Sequence, residues 1–201
     1  MVVGAWDHEG GTGDEAHWTP DTPEGVWRAW NGKAAEVEFV EFAAALVGVT
    51  GARAVVETGT GGGYTTRRLI KALRRGGRFA CYESDVDLRG AIRPHVDRFA
   101  ARHAADVTLA PDETPDADVI AAADLLVLDS RTGLRIAELQ TWAEVGAAGS
   151  SCLIHDVSAS HPADTIHRRL HAAVVDVVAV DPALRAMPLG NPRGGVLIWK
   201  A

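Results

Sequence analysis

The stretch AVVETGTGGGYTT, from Ala54 to Thr66, joins a β-branched apolar run to an acid and then to four glycines, Gly59, Gly61, Gly62 and Gly63. It reads as strand, tight turn and helix start. Glycine admits φ > 0 and removes the Cβ atoms that would hold a ligand away. The next helix then turns its free N–H groups and positive dipole end into the bend. Such a turn suits a nucleotide-like ligand, and the spacing says which kind. The dinucleotide pattern G-x-G-x-x-G fails, because its third glycine, counted from Gly59, falls on Tyr64. What stands instead is Glu57-x-Gly59-x-Gly61-x-Gly63. In isolation a glycine-rich turn that binds nothing reads the same way, so the rest of the chain has to decide.

At 201 residues the chain suits one domain with a full core. Apolar residues make up 47% of it, which indicates a folded protein rather than a disordered one. No apolar run approaches the roughly 18 residues of a membrane span, and the polar, acidic start lacks a secretory pattern. A cytoplasmic protein without a membrane partner is expected. A net charge of −7 argues against a nucleic-acid partner, which needs a basic surface to displace counterions. The pairs Arg67-Arg68, Arg74-Arg75 and Arg168-Arg169 read as solvated helix faces. Cys81 and Cys152 lie in predicted strands without a C-x-x-C partner, so buried free thiols are expected.

Residues 1–30 form an irregular N-terminal segment rich in Gly, Thr, Asp, Glu and Pro, yet carrying Trp6, Trp18, Trp27 and Trp30. Large aromatics need burial, as a lid, as a dimer contact or by plain packing on the body. Residues 31–201 read as one domain. A helix with Val37, Val40, Ala44 and Val47 in phase ends at Gly48 and Gly51, followed by a strand from Arg53 to Glu57 and the glycine turn. A helix from about Thr65 to Arg75, stopped by Gly76-Gly77, leads to the strand RFACYES. The next helix carries Leu88, Ile92, Val96 and Phe99 and should kink or restart at Pro94. Strands near VTLA, ADLLVLD and SCLIHD alternate with helices, the last helix spanning about Ala163 to Val178. LRAMPL and GGVLIWK close the chain as an antiparallel pair around the turn GNPRG. The fold class is therefore α/β: a doubly wound, mostly parallel seven-stranded sheet with an antiparallel C-terminal strand.

In such sheets ligands bind outside the carboxyl ends of the strands, at the switch point beside the first strand. Four strand ends there are acidic: Glu57, Glu83, Asp129 and Asp156. An acid ending the second strand can accept hydrogen bonds from two ribose hydroxyls. Any one of them alone could simply be a helix N-cap; four at one edge fit that reading poorly.

With these residues in place, the chain resembles class I S-adenosylmethionine-dependent methyltransferases, with their Rossmann-like fold. Within them it is similar to small O-methyltransferases of the catechol and caffeoyl-CoA type and related secondary-metabolite enzymes. GKAAEVEFVEF resembles their lead helix, VVETGTGGGYTT the first motif and ACYES the second. The resemblance implies S-adenosylmethionine as cofactor, with Lys33 near its methionine end and Glu57, Gly59, Thr60, Gly61 and Gly63 beneath it. Tyr64 and Thr65 would lie beside it, Glu83 on the ribose with Ser84 next to it, and Asp112 by the adenine, with Asp129 also among the cofactor-binding residues. It also implies Mg²⁺ on Asp129 and Asp156. The family's Asn ligand is Val157 here, and its general-base Lys is Thr132.

The reaction implied is transfer of a methyl group to a small-molecule hydroxyl, with Asp129, His155 and Asp156 as catalytic residues. His155 and His161 are the base candidates in place of the Lys, although a buried structural histidine reads equally well from the residues. His167 and His171, spaced i,i+4 beside Arg168 and Arg169, read as a solvated helix face rather than a zinc site. Two other readings stay open: a partner or regulatory protein that binds the cofactor without catalysis, and a nicotinamide oxidoreductase, which Tyr64 disfavours. A homodimer would fit the family resemblance.

Overall fold

The computed structural model describes residues 35–158, 165–191 and 193–201. The expectations about residues 1–30, Lys33 and His161 lie outside these.

Thirteen elements run in alternation over the described residues: α1 (Val37–Thr50), β1 (Ala54–Thr58), α2 (Tyr64–Ala72), β2 (Arg78–Tyr82), α3 (Val86–His103), β3 (Asp106–Ala110), α4 (Ala117–Ala121), β4 (Leu125–Leu128), α5 (Thr132–Val145), β5 (Ser151–His155), α6 (Thr165–Val180), β6 (Leu184–Leu189) and β7 (Gly195–Lys200). The seven strands form one sheet in the order β3-β2-β1-β4-β5-β7-β6. β1 pairs in parallel with β2 and β4, whereas β7 runs antiparallel to both β5 and β6. The order reverses between β1 and β4, which places the switch point where the glycine turn leaves β1.

Strand alternation divides the core between the two faces of the sheet. Val55, Leu125, Val127 and Leu153 face one cluster with Phe39, Leu69 and Ile92 of α1 to α3. Val56, Leu126, Leu128, Cys152 and Ile154 face the other, with Leu139, Trp142 and Leu170 of α5 and α6. Both cysteines are buried free thiols, one on each face. Covered on both sides, β4 is buried at every position, as a central parallel strand should be.

Several boundaries differ from expectation for physical reasons. α1 runs through Gly48 and stops at Gly51, whose φ of 69° satisfies a left-handed cap with its N–H on Val47 O. α2 ends at Ala72, before Arg74 and Arg75. α3 is one helix across Pro94, because Ile92, Val96 and Ala100 keep a single buried face on either side of it. Arg67 is buried instead of solvated, its guanidinium 5.8 Å from the centroid of the Tyr64 ring.

Candidate active site at the carboxyl edge of the sheet

The glycine turn is tied to the end of β2 by three donors on one carbonyl: Gly59 N, Thr60 N and Thr60 Oγ1 each reach Tyr82 O at 3.1 Å. Glu83, just past β2, answers from the other side. Its Oε2 accepts from Gly61 N at 2.8 Å and its Oε1 from Asp85 N at 2.9 Å. Two oxygens offer about four lone-pair sites, so two remain for a ligand's hydroxyls. Arg89 holds the segment in place by donating to Glu83 O at 2.7 Å. Ser84 is exposed next to it, and Asp112 is exposed on the loop after β3. Burial, with the charges of Asp116 and Asp112 added, pushes the Tyr82 phenol up from its ordinary value.

Gly59 adopts φ 78° for a reason the sequence did not reveal. A Cβ there would meet Asp129 O at 2.2 Å and Ser130 Cα at 2.7 Å. The turn after β1 thus crosses the backbone after β4, and glycine makes room for protein rather than ligand. Gly63, at φ 80°, caps α2, and Tyr64 and Thr65 are buried in its first turn. Glu57 is fully buried beneath the turn. Its Oε2 accepts from Thr66 Oγ1 at 2.5 Å, and Oε1 has no partner among the described residues. Burial pushes this carboxyl well above the usual range, opposed by the Thr66 bond and reinforced by the charges of Asp129 and Glu83.

β4 and β5 carry the second half of the site. His155 is completely buried and shares a face with Leu153, toward α1, where its ring lies 4.5 Å from that of Phe39. Its Nδ1 meets Asp129 Oδ1 at 2.8 Å, and its Nε2 is in close contact with Glu36 Oε2. Burial alone would lower its pKa, but Asp156, Asp129 and Glu36 outweigh that and push it up to about 10. With both ring nitrogens engaged by carboxylates, His155 is held as a partner of Asp129 and Glu36, and the base role expected for it finds no free nitrogen in this arrangement. Glu36 also accepts from Arg193 N at 2.7 Å and Asn191 Nδ2 at 2.9 Å, so it ties the start of α1 to the β6–β7 turn.

Arg135, on α5, runs beneath both strand ends. Its Nε donates to Ser130 O at 2.5 Å, Nη1 to His155 O at 2.7 Å and Asp156 Oδ2 at 3.2 Å, and Nη2 to Asp129 Oδ1 at 3.2 Å. Arg193 adds Nη2 on Asp156 Oδ2 at 2.9 Å and a close ionic contact, Nε to Oδ1, at 2.8 Å. Burial would raise the Asp156 carboxyl, yet His155, Arg135, Arg193 and His167 hold it well below the usual carboxylate range. Asp156 sits in the left-handed region at φ 61°, where an aspartate is tolerated better than most residues.

His167 belongs to this cluster, contrary to the solvated face expected for it. Its Nε2 lies 3.4 Å from Thr132 Oγ1 and 3.9 Å from Asp156 Oδ2, with its side chain 14% exposed. It stands in phase with buried Leu170 and Val174, a helical spacing that gave the signal. Glu138, one turn after Arg135, was also missed. Its Oε2 accepts from Ser130 Oγ at 2.8 Å and Thr58 Oγ1 at 3.1 Å.

The structure therefore brings Glu57, Gly59, Thr60, Gly61, Gly63, Glu83 and Asp129 into one interlocked edge, with Asp156 and His155 directly beside it. Magnesium fits this donor set poorly. Asp129, His155 and Asp156 each offer a ligand atom within 4.8 Å of the others. Yet both His155 nitrogens are engaged by carboxylates, and Asp129 Oδ1 and both Asp156 oxygens already face guanidinium groups. Mg²⁺ prefers an octahedron of oxygens and waters.

No family model and no curated protein matches the sequence. Among solved structures, the chain is similar to an O-methyltransferase from Bacillus cereus in complex with S-adenosylhomocysteine, at 16% identity, TM-score 0.69, covering 96% of this chain and 93% of that one. It is similar to an S-adenosylhomocysteine-bound methyltransferase from Podospora anserina, at 14% identity and TM-score 0.67, covering 92% and 90%. An O-methyltransferase of tomaymycin synthesis in Streptomyces achromogenes, solved with S-adenosylmethionine, matches at 14% identity and TM-score 0.66, covering 95% and 91%. The sheet order and these matches establish the Rossmann-like methyltransferase fold.

Proposed function

We propose that the chain is an S-adenosylmethionine-dependent methyltransferase acting on a hydroxyl of a small molecule. The observation that carries this reading is the interlock of the glycine turn with Glu83: Gly61 N on Glu83 Oε2 at 2.8 Å, with the turn's other donors drawn onto Tyr82 O. That contact presents a carboxylate at a parallel strand end beside an open backbone bend, in the fold of proteins solved with this cofactor.

When bound, S-adenosylmethionine supplies an electrophilic methyl group: the acceptor oxygen forms the new O–C bond as the C–S bond breaks and its electron pair stays on sulfur. The chain's contribution is to position and to manage charge. Glu83 binds the ribose hydroxyls with its remaining lone pairs. The glycine turn, braced by Gly59 on the backbone of Asp129, presents its backbone to the cofactor, and Lys33, by the resemblance, serves the methionine end. Every contact that Asp129 makes among the described residues falls on Oδ1. Oδ2 is left to accept the acceptor's hydroxyl hydrogen and to orient that oxygen for in-line attack. His155 and Arg135 hold Asp129 for this task.

Isothermal calorimetry with S-adenosylhomocysteine tests the reading. Micromolar binding is expected, with Glu83→Ala weakening it at least tenfold and Glu83→Gln less, because the amide oxygen can still accept from Gly61 N. No heat at millimolar ligand would discard the proposal.

A further inference from the structure

We propose that Arg135 and Arg193 fill, around Asp129 and Asp156, the place a divalent cation would take, so that the acceptor oxygen is bound without metal chelation. The inference deepens the methyltransferase reading and rests on it for its substrate consequence only.

Three observations carry it. Asp156 is flanked by both guanidinium groups: Oδ2 takes Arg135 Nη1 at 3.2 Å and Arg193 Nη2 at 2.9 Å, and Oδ1 is in ionic contact with Arg193 Nε at 2.8 Å without a hydrogen bond. Asp129 Oδ1 takes Arg135 Nη2 at 3.2 Å and His155 Nδ1 at 2.8 Å. A dication within coordination distance of these oxygens would stand against two guanidinium charges that no accessible pH removes. Second, the cations are built in. Arg135 and Arg193 are buried to 5% and 6% exposure, and Arg135 is held independently by the carbonyls of Ser130 and His155. Third, Val157, which stands at the family's Asn position, has its side chain buried in the core and its backbone paired with Gly194. Val157 N donates to Gly194 O at 3.2 Å, and a Cβ on Gly194 would meet Val157 O at 2.3 Å. That close pairing lays Arg193 over Asp156.

A chelated ion can clamp two neighbouring hydroxyls and draw off a proton. Without one, the site offers a single carboxylate oxygen, Asp129 Oδ2. The acceptor class that suits it carries one hydroxyl of phenolic acidity, with no requirement for a vicinal diol.

Electron paramagnetic resonance with Mn²⁺, on the full chain with and without S-adenosylhomocysteine, tests the proposal without needing any acceptor. The wild-type chain is expected to leave the free Mn²⁺ signal unchanged up to millimolar metal. Arg193→Met, confirmed folded by circular dichroism, is expected to gain Mn²⁺ affinity at least tenfold, and a further Asp156→Asn change to abolish that gain. A wild-type chain that binds one Mn²⁺ in the micromolar range and loses it in Asp156→Asn overturns the proposal. So does a folded Arg193→Met chain that remains blind to the metal. Because binding is read directly, a failure of methyl transfer leaves this result interpretable.

Discussion

Gly59 excludes a side chain because of backbone packed against it, and that makes its role measurable apart from ligand binding. A left-handed φ costs an L-residue roughly 1–2 kcal/mol, and the Cβ of an alanine would overlap Asp129 O at 2.2 Å. Gly59→Ala is therefore expected to lose more than about 2 kcal/mol in urea unfolding. A loss under half of that would mean the two loops slide apart easily. Glu138 makes a prediction of the opposite sign. Burial pushes its carboxyl up to about 7, against the Ser130 and Thr58 bonds and the Arg135 charge. A raised acid binds its proton more tightly in the folded chain, so its contribution is complete below about pH 4.5 and is lost as pH climbs through 7. The ceiling is about 3 kcal/mol. Glu138→Gln keeps an acceptor for both hydroxyls and removes this titration, so its stability should fall less than the wild type's between pH 5 and 7 and exceed wild type at pH 8. Equal slopes in the two proteins would show that Glu138 titrates normally. The acids of the site were legible because each follows an apolar strand, whereas their cationic partners were not. Arg193 sits in a turn with no periodicity to place it beside Asp156, and one acid, Glu36, was hidden as well, because it lies before the first helical residue and its partner His155 is 119 positions away.

Elements carry a clearer message than their ends. Parallel strands announce themselves as short apolar runs, and every strand expected is present. Helix ends were less readable, because packing overrides local signals: Pro94 and Gly48 lie within helices that the core keeps intact. α5 held an unread clue. Arg135, Glu138, Leu139 and Trp142 are its buried residues, at i, i+3, i+4 and i+7, so two charged groups share the apolar phase of the helix. Charges in that phase mark a buried network. The amino edge of the same strands gives a control for the site. Asp124 Oδ2 accepts from Arg53 N at 2.7 Å and Ala54 N at 2.9 Å, fastening the start of β1 to the start of β4. Asp124→Ala is expected to cost about 1–2 kcal/mol, less than two full charge-assisted bonds because the residue is exposed. β1 has five residues, which puts roughly 16 Å between this edge and the glycine turn. S-adenosylhomocysteine affinity should therefore change less than twofold in calorimetry, and a larger change would couple the two edges of the sheet.

On the scale of the whole molecule, the buried charges gather where α1, β4, β5, α5 and the β6–β7 turn meet, so folding must assemble them together. Carboxylates of Glu36, Asp129 and Asp156 surround His155, Arg135 and Arg193. The two sides of this cluster set opposite limits in pH. Glu36 and Asp156 are held below their ordinary values, against burial, by His155 and, for Asp156, by the two arginines as well. Their stabilisation is complete above about pH 4 to 5 and is lost on acidification through their lowered folded values. His155 is raised from 6.5 to about 10, so its contribution is complete below pH 6.5 and is lost as pH rises through 10. The shift sets a ceiling of about 5 kcal/mol on that alkaline loss, which exceeds a third of the stability of an ordinary domain. Urea unfolding from pH 6 to 10 is expected to show stability falling steadily in the wild-type chain. His155→Gln should start lower at pH 6 and fall far less, the two curves converging toward pH 10. Parallel curves across that range would mean that the imidazole is neutral in the folded protein and able to act as a base.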